Sequence, residues 1–135
     1  ARFGDPETQV VLPRLKSDLL TIIEAVIDER LSEIEIEWSD ESAACVVMAS
    51  GGYPGSYPKG VPIEGLNDNG QVEGAIVYHA GTALKDGCFV TAGGRVLGVT
   101  CLGSTLNEAL AKAYSAVNKI NFEGAQFRKD IGKIK

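Results

Sequence analysis

Between Leu19 and Ile27 the apolar residues Leu19, Ile22, Ile23, Val26 and Ile27 recur at helical spacing, and Asp18, Glu24, Asp28 and Glu29 fall on the other side. The spacing predicts an amphipathic helix with Ser17 as its N-cap and one side packed on a core. Ahead of it, Thr8 to Leu15 predicts a short helix that Pro13, lacking an N–H, distorts or ends. From Glu33 the period changes to two: Ile34, Ile36 and Trp38 alternate with Glu35 and Glu37, which predicts a strand. The apolar run Ala43 to Met48 predicts a buried strand, and Gly51 to Gly60 predicts a long loop rich in Gly, Pro and Tyr. Further strands are expected at Ala75 to His79, Cys88 to Thr91 and Arg95 to Cys101, the last two joined as a hairpin through Ala92-Gly93-Gly94. Ser104 or Thr105 then caps a helix whose stripe is Leu106, Leu110, Ala113 and Val117, ending near Ile120, with Glu108 placed as in a capping box. This order gives an α+β fold.

The length of 135 residues suits one core, and 44% hydrophobic with 23% charged residues fits an ordinary globular chain. The net charge of -5 argues against an extended nucleic-acid surface, so any anionic ligand must be met by local cations. Cys45, Cys88 and Cys101 are odd in number, widely spaced and set in apolar runs, which reads as buried, reduced thiols and not as a metal site. There is no apolar run of membrane-spanning length and no basic start followed by an apolar stretch, and the chain is read as cytoplasmic. It opens in mid-pattern without an initiator Met, which reads as a piece of a longer protein.

Five segments in order carry a resemblance: Ala1 to Gln9 (ARFGDPETQ), Ala49 to Gly55 (ASGGYPG), His79 to Thr82 (HAGT), Gly93 to Leu97 (GGRVL) and Arg128 to Gly132 (RKDIG). Together they resemble the C-terminal part of the glycinamide ribonucleotide synthetases, in the ATP-grasp superfamily. The resemblance implies that residues 1–33 end an ATP-grasp domain and that 34–135 form a β-rich C-terminal domain with a terminal helix, similar to a barrel-sandwich hybrid. It implies ligation of 5-phosphoribosylamine to glycine with ATP through a glycyl phosphate, with ATP and Mg2+ held by an upstream ATP-grasp portion. The magnesium-binding Glu and Asn would lie just before residue 1, and this chain alone would be inactive. A non-catalytic structural or binding module, or part of another ATP-grasp amine ligase, are the alternatives. A biotin carrier is disfavoured because Met48 is not followed by Lys.

Forming an acyl phosphate brings two anions together, which needs a nearby cation; by resemblance Arg2 faces the acyl phosphate, where its planar guanidinium can grip oxygens bidentately. Gly4 and Asp5 lie in the turn before the first helix. Asp5 either caps that helix or accepts from the glycine ammonium, and Glu7 is a weaker substrate-binding candidate in the first helical turn. Related purine-pathway enzymes put an Arg on the strand matching Arg95 to bind the ribonucleotide phosphate, and the same comparison puts Thr82 beside it, where relatives carry a Lys. His79, the only histidine, reads as hydrogen-bonded and structural on a buried strand in preference to a base. The Gly51 to Pro54 loop reads as a turn packed by Tyr53 and Tyr57 in preference to a cleft wall, and Arg128-Lys129-Asp130 reads as a solvated tail.

Overall fold

The computed structural model describes residues 3–133. Two short turns of helix, α1 (Thr8–Val11) continued by a 3-10 turn (Leu12–Arg14), precede α2 (Leu19–Ile27). Pro13 sits in that 3-10 turn, where the missing N–H ends the α geometry. The strands are β1 (Ser42–Ala49), β2 (Ile76–His79), β3 (Thr82–Lys85), β4 (Cys88–Thr91) and β5 (Arg95–Gly103), followed by α3 (Leu106–Val117). The fold is mixed helix and sheet.

The central sheet has the order β1-β5-β2, antiparallel throughout. Its register sets Val46 opposite Val99, Met48 opposite Leu97 and Val77 opposite Val99. These side chains form the core with Ala109, Ala113, Ala116 and Val117 of α3. The alanines let the helix lie close on the sheet, and Leu110 is only half-buried while Leu106 is exposed. α1 crosses the sheet's other side, where the Thr100 hydroxyl donates to the Gln9 carbonyl at 2.9 Å.

Three readings of the elements change. The hairpin is β3–β4, turning at Asp86 (φ 51) and Gly87 (φ 79), a two-residue loop with both φ values positive. Gly93 and Gly94 turn no hairpin, because β4 pairs with β3 and β5 joins the central sheet. Residues 34–38 form no strand; they lack a partner strand and meet residues 15–17 through the isolated Leu15–Trp38 bridge and the bonds of Glu37 to Lys16 and Ser17. Asp18, not Ser17, caps α2, its carboxylate accepting from the Thr21 N–H at 2.8 Å, because the helix starts one residue later than the pattern suggests. The Ser17 hydroxyl instead accepts from the Glu37 N–H.

The apolar side of α2 meets no core. Only Ala25 is buried, and Leu20, Val26 and Ile27 are 62%, 54% and 73% exposed. Cys88 is exposed as well, at the start of β4, so only Cys45 and Cys101 are buried thiols. Burial pushes both of those up from the ordinary thiol range, which disfavours the reactive thiolate.

At the start of α3, the Thr105 hydroxyl accepts from the Glu108 N–H at 3.2 Å. Glu108 Oε2 accepts from the Ser104 N–H at 2.8 Å, and Oε1 lies 2.7 Å from Lys112 Nζ. The Lys112 contact first, then the Ser104 bonds, hold the Glu108 carboxyl at about 2. A depressed folded-state value adds stability that is present above the unfolded value and is lost as pH falls towards about 2. Carboxyl carbon shifts followed against pH should show Glu108 titrating near about 2, and Lys112→Ala should move the midpoint up. Titration at an ordinary carboxylate value in the unmutated chain would refute the contact.

Candidate functional site

Three loops and the first residues converge at one end of the central sheet. The Ser50 hydroxyl donates to the Gly93 carbonyl at 2.9 Å, and the Ser50 N–H donates to the Gly94 carbonyl at 2.8 Å. The Gly81 carbonyl accepts from the N–H groups of Ala92 (2.7 Å) and Gly93 (3.1 Å). A Cβ on Gly81 would run into the Arg95 carbonyl, and one on Gly94 would run into the Tyr53 ring. The glycines therefore serve close backbone approach, and neither Gly93 nor Gly94 has a positive φ. Tyr53 meets Tyr57 edge to face at 6.2 Å, so the ring does pack its turn.

The Gly94 junction sets the start of β5, and with it Arg95. Arg95 Nη1 donates to the Asp5 carbonyl at 3.1 Å, and Nη2 lies 3.1 Å from Asp5 Oδ2. The other Asp5 oxygen accepts from Gln9 Nε2 at 2.9 Å. That bond fixes the Gln9 amide orientation, because flipping it would set two oxygens against each other. Gln9 Oε1 is then buried without a partner. Asp5 does not cap α1: the N-cap residue is Glu7, and no side chain caps that end. Glu7 is exposed, and Gly4 accepts the Thr8 N–H at 2.9 Å. Arg2 lies outside the described residues.

Thr82 opens β3, and its hydroxyl lies 2.9 Å from His79 Nδ1. His79 is exposed, not buried, because it sits at the end of β2. Its Nε2 lies 2.8 Å from the Gly70 carbonyl, and the ring packs on Phe89 at 4.9 Å. A carbonyl can only accept, so Nε2 carries the hydrogen; in the neutral ring Nδ1 then accepts from the Thr82 hydroxyl. Thr82 is held as a donor to His79 and presents lone pairs elsewhere.

Two grooves flank the Asp5–Arg95 pair. One, of about 490 Å³, is lined by Phe3, Asp5, Gln9, Tyr78 and His79 among others. The second, of about 340 Å³, is lined by Arg95, Arg128, Tyr53, Gln126, Phe127 and the small apolar Val47 and Ala49. A larger groove, of about 540 Å³ between α3 and the β2 edge, contains none of the sequence candidates. Its Lys112 is already committed to Glu108. Among the described residues no group of three or more His, Cys, Asp or Glu is arranged to hold a metal ion, and no helix is long and apolar enough to cross a membrane.

The structure thus brings Gly4, Asp5 and Arg95 together and leaves Thr82 bonded to His79 instead. The sequence reading gave no role to Gln9 and read Arg128 as part of a solvated tail. Gln9 has a local signal, four residues after Asp5 on a helical turn. Arg128 opens one of the resembling segments, but its neighbours in space are distant in sequence, so nothing local tied it to Arg95.

An α+β domain of this topology, with an arginine at a glycine-tightened strand start, is matched by known sequences. Residues 43–134 match the family described as phosphoribosylglycinamide synthetase, C domain, and the chain belongs to that family. It is 54% identical over 131 residues to a phosphoribosylamine–glycine ligase of Caldanaerobacter subterraneus subsp. tengcongensis, covering 97% of this chain and 31% of that protein. It is 56% identical over 132 residues to the trifunctional purine biosynthetic protein adenosine-3 of Gallus gallus, covering 97% of this chain and 13% of that protein. The solved phosphoribosylamine–glycine ligase of Thermotoga maritima superposes with a TM-score of 0.73 at 37% identity, over 94% of this chain and 30% of that one. The chain therefore spans less than a third of the length of these relatives.

Proposed function

We propose that this chain is the C-terminal portion of an ATP-dependent, cytoplasmic ligase that joins 5-phosphoribosylamine and glycine into glycinamide ribonucleotide. The observation that carries the proposal is the 54% identity across 97% of the chain to a relative named phosphoribosylamine–glycine ligase. On this reading residues 1–33 close an ATP-grasp domain, and 34–135 form the β-rich C-terminal domain of barrel-sandwich-hybrid type. The exposed apolar side of α2 supports it, since Leu20, Val26 and Ile27 on one helix face suit burial against the upstream ATP-grasp portion.

On this reading ATP and Mg2+ are held by the upstream ATP-grasp portion, and no step is derived through them. What the chain contributes is substrate positioning. Gly4 and Asp5, with Glu7 nearby, serve the glycine side: the Asp5 carboxylate and the unpartnered Gln9 oxygen are both acceptors suited to an ammonium. Arg95 serves the phosphate of phosphoribosylamine, because two of its five N–H groups engage Asp5 and three remain for an anion. Thr82, its hydroxyl hydrogen directed to His79, serves the same substrate as an acceptor for a hydroxyl or amine. Arg2 would stabilise the charge that grows as glycine becomes glycyl phosphate.

The test is a chimera in which this chain replaces the corresponding part of the Caldanaerobacter ligase. The chimera should form glycinamide ribonucleotide with ATP consumption, and the 135-residue chain alone should not. In the isolated chain Ile27→Asp should shift stability by no more than about 0.5 kcal/mol, as expected at an exposed site. In the chimera the same change should abolish soluble, active enzyme. Turnover by the isolated chain, or an inactive but folded chimera, would overturn the proposal.

A further inference from the structure

We propose that Arg128 is the second cation of a phosphomonoester site that it shares with Arg95, in the groove floored by Val47, Ala49 and Phe127. The tail around Arg128 looks solvated from sequence, but it returns to the sheet: Ala49 and Gln126 form a backbone bridge, and the Tyr114 hydroxyl donates to the Arg128 carbonyl at 2.9 Å. Arg95 and Arg128 therefore line one groove from positions 33 residues apart (128 − 95).

The charge arrangement selects the ligand. Two arginines are among the residues lining the groove, and no Asp or Glu is. Their partners, Asp5 and Asp130, are not among the lining residues, so each arginine is held from outside the groove. Asp130 engages Arg128 through Nε at 2.9 Å and Nη2 at 2.8 Å, which leaves both Nη1 hydrogens and one on Nη2. Arg95 keeps its Nε hydrogen and one on each Nη. Two planar forks with free donors match a dianionic phosphate, whose three terminal oxygens can be gripped bidentately. Each arginine is already paired with a carboxylate, at 3.1 Å for Asp5 and 2.8 Å for Asp130, so the attraction for such a group comes from the donors left free and not from net charge. The apolar floor and the Tyr53 ring suit the carbon face of a small sugar attached to the phosphate. The Gln126 amide donates to the Tyr53 carbonyl at 2.9 Å, which ties that loop to the segment carrying Arg128.

The proposal rests on the ligase reading only for which sugar phosphate is the natural ligand; the anion chemistry belongs to the groove. The probe is ribose 5-phosphate, titrated into the 135-residue chain at constant ionic strength with neutral ribose as control, and followed by the arginine Nε–H resonances. The resonances of Arg95 and Arg128 should both move saturably with ribose 5-phosphate and stay still with ribose. Arg128→Ala should weaken binding on the order of tenfold, and Arg128→Lys should recover part of the loss through charge. Asp130→Asn should tighten binding several-fold, because it removes a competing anion and, with one acceptor oxygen replaced by NH2, frees one donor. A structural role for the Arg128–Asp130 pair would give the opposite sign.

Equal affinity in Arg128→Ala and the unmutated chain, or weaker binding in Asp130→Asn, overturns the site. Failure of the ligase reading is seen separately: an inactive, folded chimera beside intact binding of ribose 5-phosphate removes the natural substrate and leaves the site standing.

Discussion

Leu97→Ala should lower the stability of the chain by about 2–5 kcal/mol, the range for truncating a large side chain in a packed core. Leu97 is fully buried at the middle of the central sheet, where β5 sets it opposite Met48 on β1 and His79 on β2. Its neighbours are held by backbone pairing on both sides, so the sheet has little freedom to collapse into the cavity. The matched control is Leu84→Ala on β3, where the leucine is 67% exposed and the cost should stay within about 0.5 kcal/mol. Urea unfolding of both variants checks the contrast. Equal midpoints would mean that the β1-β5-β2 layer is not the core. The expected effect also reaches the site, because Leu97 lies two residues after Arg95 on the same strand.

Much of this core was legible because its signals are local. The run from Ala43 to Met48 is β1 within a residue at each end, and the capped stripe ending at Val117 is α3. The Asp86-Gly87 turn was equally legible by its chemistry, yet three consecutive small residues at Ala92 to Gly94 drew the hairpin away from it. Glycine pairs mark two different needs, a positive φ or a close approach, and sequence alone does not separate them. At Gly93 and Gly94 the need is approach, to Gly81 and to the Tyr53 ring. The α2 pattern was read correctly as helical and amphipathic, but periodicity says only that one side is apolar and not what covers it. Candidate site residues came from the resemblance and not from the pattern. The partner of Arg95 was not visible, since 90 residues separate Asp5 from it, and Arg128 was hidden behind an exposed, charged tail that folds back.

The Asp5–Arg95 pair changes what mutation of Arg95 should do in the active chimera. If Arg95 held only a phosphate, Arg95→Ala would raise the KM for phosphoribosylamine alone. Its guanidinium also holds the Asp5 carbonyl and carboxylate, both at 3.1 Å, so removing it frees the segment proposed above to carry the glycine-side acceptors. Arg95→Ala should therefore raise the KM values for phosphoribosylamine and for glycine together, each on the order of tenfold or more, and leave that for ATP nearly unchanged. Asp5→Asn separates the two effects. It keeps the shape of the turn and the main-chain carbonyl that Arg95 bonds, but removes the charge an ammonium would meet, so the glycine KM should rise while that for phosphoribosylamine holds or falls. Arg95→Lys should rescue the phosphate side better than the glycine side, since an ammonium supplies charge but cannot span the carbonyl and carboxylate of Asp5 as the planar fork does. Steady-state kinetics on the three variants decides between coupled and independent half-sites. A rise in the phosphoribosylamine KM alone for Arg95→Ala would show that the pair is an incidental surface contact, and an unchanged glycine KM in Asp5→Asn would remove Asp5 from the glycine side altogether.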